Sequence, residues 1–208
     1  MTGSEPIQPA RWSEAWVDVG AFFVGLGLAW YKNWETTDLI WSLWLSSLTV
    51  GYAMIVWGLL GRMKMTKTVI GGLVLLGFFS LHFGLFHFLH SVFLNALFPI
   101  VGESGVPTLK SYGQVISNYW YFLPAAFIAE REGFIQMWAK TLEHPINVIA
   151  DAGNGFIQPY RNVLRMHLLI FFFIFANIAK WESILVYAVV YGVYFFPWRM
   201  LKREKIIG

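Results

Sequence analysis

Residues 69–100 read VIGGLVLLGFFSLHFGLFHFLHSVFLNALFPI, without a single Asp, Glu, Lys or Arg. As a helix this stretch measures roughly 48 Å at ~1.5 Å per residue, more than the ~30 Å hydrocarbon core of a bilayer. A helix of that length must tilt, kink or protrude. It also carries three imidazoles, His82, His87 and His90. Ionisable side chains at membrane depth are costly and need partners, so this run is where function is expected.

The rest of the chain supports the same setting. Of the 208 residues, 57% are apolar and 13% charged, about half the usual charged share. Aromatics make up 19%, with 11 Trp and 9 Tyr, as two interfacial belts require. There is no cysteine, which excludes disulfides, Cys-ligated zinc, iron–sulfur clusters and thiol catalysis. The N-terminus lacks the basic and apolar regions of a cleaved signal peptide, so the first span is expected to stay in the mature protein.

Hydropathy predicts an all-α integral membrane protein of about six spans, near 15–31, 38–61, 69–100, 112–129, 160–178 and 183–201. Residues 1–14 form an interfacial tail and 202–208 a basic one. Pro99 ends the third span and Pro124 kinks the fourth. Phe134, Ile135 and Trp138 predict an amphipathic continuation along the membrane surface. Arg62, Lys64 and Lys67 share one loop, and the 130–159 loop and the C-terminus are also basic. The opposite loops hold only Lys32, Lys110 and Lys180, each near an acid. The positive-inside rule then gives N-in/C-in topology in a bacterial inner membrane, with lipid rather than nucleic acid as the contact. No internal repeat is visible, which leaves an inverted-repeat transporter, and a transporter or channel in general, as the weakest reading.

On a helix His87 and His90 differ by about 60° and 4.5 Å, the spacing of a pair sharing one ion, whereas His82 lies about 12 Å from His90. His167, in the fifth span, matches His82 better than His90 when depth is counted from the start of each span. Three uses of these four histidines stay open. They bond structurally to neighbouring helices; they bind zinc, copper or a b-type haem, the last between facing imidazoles such as His82 and His167; or they carry protons. Glu130 is an auxiliary ligand or proton acceptor. Arg161 and Arg165 snorkel to headgroups, or Arg165 pairs with Glu130 or Glu132. A non-catalytic subunit of a larger electron-transfer or pigment-containing membrane complex is the alternative to a site of its own.

His82-Phe83-Gly84-Leu85-Phe86, followed by His90 and Phe93, is similar to the HxGxF…H…F signature of a group of small polytopic bacterial membrane proteins known only as a domain of unknown function. Pro159-Tyr160, with Val163, Met166 and His167, resembles their PY…MH segment. Asn162 stands at the arginine position of that segment. The resemblance implies a polytopic helical fold and singles out His82, His90 and His167, with His87 an extra. It implies no chemistry.

Overall fold

The buried centre of the molecule is a single helix. In the computed structural model, which describes residues 12–66, 69–100, 105–135, 138, 157–181, 186, 190 and 192, α2 (Thr36–Thr66) is buried at every position from Leu39 to Ser47. A helix apolar all round has to be enclosed by others. Around it stand α3 (Val69–Leu97), α4 (Leu109–Tyr119), α5 (Leu123–Ala129) and α6 (Ile157–Ile178), while α1 (Trp12–Tyr31) packs on α5. No strand occurs among the described residues. Two helices, Thr36–Gly61 and Val69–Leu97, are long and apolar enough to cross a membrane. They differ in placement: 72% of the most apolar window of α2 is inside the protein, against 17% for α3. The apolar surface of α3 therefore faces outward, with Ile70, Val74, Leu81 and Phe93 exposed.

Alpha helices α2 and α3 form an antiparallel hairpin whose register several contacts fix. Ser47 meets His87, and the Tyr52 hydroxyl donates to Ser80 Oγ at 2.9 Å. The Phe83 ring lies on Gly51, and Met63 lies on Gly72, where a Cβ would collide with each. The last of these contacts lies beyond the expected end of the second span: α2 continues to Thr66, and α3 starts at Val69. The basic segment that reads as a loop is thus largely the last turns of α2. Pro99 does stop α3, since the residues before a proline avoid helical geometry. Trp41 Nε1 donates to Phe98 O at 3.0 Å, and Asn95 Nδ2 donates to Gly105 O at 3.1 Å, pinning the chain as it leaves α3.

The stretch from 105 to 138 is more broken than one kinked span. Thr108 and Ser111 form a reciprocal capping box that starts α4. Tyr112 stacks on Trp44, and Tyr119 donates to Asp38 Oδ1 at 2.7 Å beside Trp34. A 3-10 turn, Trp120–Phe122, then leads into α5, with Pro124 in its first turn where no amide is needed. Ala126 packs with Val50 and Met54, and Trp138 reaches Trp57 at 5.3 Å between ring centres. The chain from Tyr119 to Trp138 therefore accompanies α2 from its first turn to Trp57. Phe134, expected at the membrane surface, instead packs against the Val50–Met54 cluster.

Helix α6 runs parallel to α3, because His90 faces His167 and Phe98 faces Phe173 in the same order. Both α1 and α6 end with a non-glycine residue at positive φ, Asn33 at 50° and Lys180 at 52°. In each case the next residue is a tryptophan whose amide returns to the helix: Trp34 N–H to Ala29 O at 2.9 Å and Trp181 N–H to Ala176 O at 3.0 Å. Of the segment expected as a sixth span, Val186 and Val190 are helical and buried in the main core. The remainder of that segment, residues 1–11 and the 139–156 loop with His144 lie outside the described residues.

Candidate functional site: an imidazole pair between α3 and α6

The histidines of α3 divide into three environments. His87 is 1% exposed and has both ring nitrogens engaged. Its Nδ1 lies 3.0 Å from Phe83 O, and a carbonyl only accepts, so Nδ1 carries the proton. A neutral ring then leaves Nε2 as an acceptor, and Ser47 Oγ donates to it at 3.2 Å. Trp44 Nε1 donates to the His87 carbonyl at 3.0 Å, so ring and backbone together bind α3 to α2. A hydroxyl on an imidazole is also the geometry of a nucleophile and its base. Here both groups are buried among packed helices, and their arrangement serves as interhelical hydrogen bonding.

His90, 4% exposed, turns to the other side of α3 and meets His167 of α6. The two Nε2 atoms are 3.1 Å apart, with the rings nearly perpendicular at 80° and their centres 4.3 Å apart. Two imidazole nitrogens this close share either a proton or a cation, since two bare lone pairs would repel. His90 Nδ1 is buried and has no hydrogen-bond partner among the described residues. The partner of His167 is therefore His90, not His82 as depth counted from the span starts suggests. The count misleads because the α2–α3 hairpin extends past Gly61, so the first turns of α3 are spent packing against Met63 and do not mark the depth at which α6 begins.

His82 is half-buried and lies in a column of rings. It stacks on Phe78 at 5.6 Å and 8°, and meets the edge of Phe86 at 5.0 Å. Phe86 in turn lies 6.5 Å from both His90 and His167, centre to centre. His87 is 6.0 Å from His90 between ring centres, but its nitrogens point to Phe83 and Ser47.

The auxiliary residues stand apart. Glu130 follows α5, its amide bonded to Ala126 O at 3.1 Å, on the level of Val50 and Met54 rather than of Trp44 and His87. Among the described residues no group of three His, Asp or Glu side chains is placed to hold a metal, so neither Glu130 nor a third histidine completes the pair. Arg161 and Arg165 lie on α6, and their side chains are outside the described set.

Sequence reading missed Ser47 as the specific partner of His87, and Tyr112 as the donor to Ser91 Oγ at 2.7 Å, where Ser91 itself donates to Phe88 O. The first had a visible signal: Ser47 and His87 are equidistant in sequence from Lys67, and residues equidistant from a tight helical turn face each other.

No curated protein matches this chain, and no solved structure does. A family model spans residues 5–196, and on that match the chain belongs to the family of unknown function DUF6498.

Proposed function

We propose that this is a six-span protein of the bacterial inner membrane, N-in and C-in, whose working centre is a two-histidine transition-metal site formed by His90 and His167. The membrane reading is supported by α3, which exposes most of its apolar surface and would be unstable in water as an isolated subunit. The basic ends of α2 and of the chain support the orientation.

The metal reading rests on the 3.1 Å between the two Nε2 atoms. With metal–nitrogen bonds of about 2.05 Å, this separation corresponds to an N–metal–N angle of about 100°, close to a tetrahedral edge. The same arithmetic counts against a b-type haem, because nitrogens on opposite faces of one iron lie about 4 Å apart at ~2 Å per bond. It also counts against linear Cu(I). The pair suits Zn²⁺ or a similar divalent ion, with water, hydroxide or a substrate atom in the open positions. With two protein ligands among the described residues, and no acceptor among them beside His90 Nδ1 to orient the ring, such an ion is exchangeable rather than structural.

A second reading has its own observation. The same separation suits an N–H···N hydrogen bond, and an imidazole latch between α3 and α6 fits a non-catalytic subunit. Metal content separates the two. Protein purified in mild detergent, stripped with chelator and dialysed against Zn²⁺ should retain about one ion per chain. His90→Ala and His167→Ala should each abolish retention, and His87→Ala should not. Equal zinc content in wild type and His90→Ala would leave only the latch.

A further inference from the structure

The two histidines of the pair lie where the packed sides of α3 and α6 turn outward. On α3, His90 is flanked by Phe86 and Phe93, at i−4 and i+3; on α6, His167 is flanked by Leu164 and Phe171, at i−3 and i+4. Neighbours at these spacings share a helix face. Phe93 and Leu164 are each 61% exposed and Phe171 is 68% exposed, while Phe86 and His167 are half-buried. His90 therefore closes the inner side of the pair, and His167 keeps part of its surface on the outside of the bundle, among apolar side chains. Depth follows from the α2–α3 register. Ser47, which meets His87, is roughly 16 Å from Thr36 and ~15 Å from Trp57 along α2. His90 is three residues, about 4.5 Å, farther along α3, so the pair lies near the middle of an apolar layer about 30 Å thick.

We infer that an open position of the metal is filled from within the bilayer, by the carbonyl oxygen of a neutral, lipid-soluble molecule with a flat conjugated head of the quinone type. This inference rests on the membrane and metal readings above and names what that site takes up. Depth sets the charge of the ligand. A phosphate or carboxylate head stays at the interface, roughly 15 Å from mid-membrane, and bringing its charge inward is costly. The opening sets the route. A molecule dissolved in the hydrocarbon meets His167 beside Leu164 and Phe171, whereas a water-soluble one has first to cross the apolar layer. The ion sets the donor. A divalent ion held by imidazoles accepts oxygen ligands and polarises a carbonyl. A carbonyl also brings no O–H that would need its own partner in hydrocarbon. The flanking side chains set the shape. Three of the four are phenylalanines, and Phe86 lies 6.5 Å from both imidazoles, so the site offers ring faces and edges to a planar head.

The test uses the full chain in phosphatidylcholine nanodiscs, stripped of metal and loaded with Co²⁺, whose visible bands report its ligands. Wild type should bind Co²⁺ with a spectrum lost in the His90→Ala/His167→Ala variant. Decylubiquinone added to the lipid should shift those bands saturably. Decylbenzene, which also dissolves in the bilayer but has no carbonyl, should leave them unmoved, and so should azide, which stays in water. Phe93→Ala and Phe171→Ala, both on the outer surface, should keep the Kd for Co²⁺ and weaken the response to decylubiquinone by about two- to tenfold. Bound Co²⁺ whose bands decylubiquinone does not shift would overturn the inference and leave the metal site standing. A shift with decylbenzene would assign the response to bilayer packing, and a shift with azide would open the site to water; either overturns the inference. So would an unchanged response in both phenylalanine variants. If wild type binds no more Co²⁺ than the double variant, the metal reading falls and the inference with it.

Discussion

Ser47 and His87 are hydrogen-bonded at 3.2 Å across α2 and α3, with the tautomer of His87 fixed by its Nδ1–H to Phe83 O. This pair is an anchor, and its energetics are predictable. Interhelical hydrogen bonds within membranes average about 0.6 kcal/mol and reach about 1.7. A Ser47→Ala/His87→Ala double-mutant cycle, read by unfolding in mixed micelles, should give a coupling within that range. His87→Ala alone should cost more, roughly 2–4 kcal/mol, because it also opens a cavity beneath Phe83 and Trp44. Zinc retention by the refolded variant should be unchanged. A coupling near zero would mean the contact carries no stability.

The α2–α3 hairpin was legible in outline from the apolar runs, and its register was not. Hydropathy locates a helix but is indifferent to its rotation when every face is apolar, as for Leu39–Ser47. Register came from small and polar residues: Gly51 under Phe83, Gly72 under Met63, and Ser47 opposite His87. The site was half legible for the same reason. All four histidines could be named, but pairing His90 with His167 requires the relative height of α3 and α6, which the extension of α2 to Thr66 conceals. The fourth span was the least legible. Its apolar run continues through Trp120–Phe122, where the backbone tightens to a 3-10 turn before Pro124. The resemblance of the two turns carrying Trp34 and Trp181 also emerges only once Asn33 and Lys180 are both found at positive φ.

Close packing at Gly51 gives a second prediction. A methyl added there meets the Phe83 ring, which is fully buried and cannot swing outward. Gly51→Ala should destabilise by about 1–3 kcal/mol, the usual cost of overpacking. Phe83→Leu combined with Gly51→Ala should recover part of the loss, so the two changes are non-additive. Gly84→Ala, on the same helix as Phe83 but with nothing near its added methyl, is the control and should be neutral or slightly stabilising. Strictly additive losses would show that α2 and α3 do not approach at this point.

Metal binding at His90 and His167 should weaken as pH falls. An imidazole binds a cation only through a neutral nitrogen, so protons compete with the ion, and acid favours the empty state. Zn²⁺ affinity, measured by competition with a chromophoric chelator whose own pH dependence is known, should therefore rise from acid to neutral pH and level off. His87→Ala should follow the same curve, since both nitrogens of that ring are already committed to the protein. Affinity that is flat with pH would assign the retained zinc to groups other than imidazole.

Orientation can be tested with unusual directness because the chain contains no cysteine. Lys32 is exposed at one end of the bundle, where α1 turns into α2, with Lys110 exposed in the first turn of α4 on the same half, and Lys64 is exposed at the other end, in the last turn of α2. Between those ends α2 runs from Thr36 to Trp57, roughly 32 Å at ~1.5 Å per residue, about a bilayer. Short basic segments are retained on the cytoplasmic side, so the Lys64 end should be inside. In intact cells a membrane-impermeant maleimide should label Lys32→Cys and Lys110→Cys, and should reach Lys64→Cys only after lysis. Labelling of Lys64→Cys in intact cells, with Lys110→Cys protected, would invert the topology.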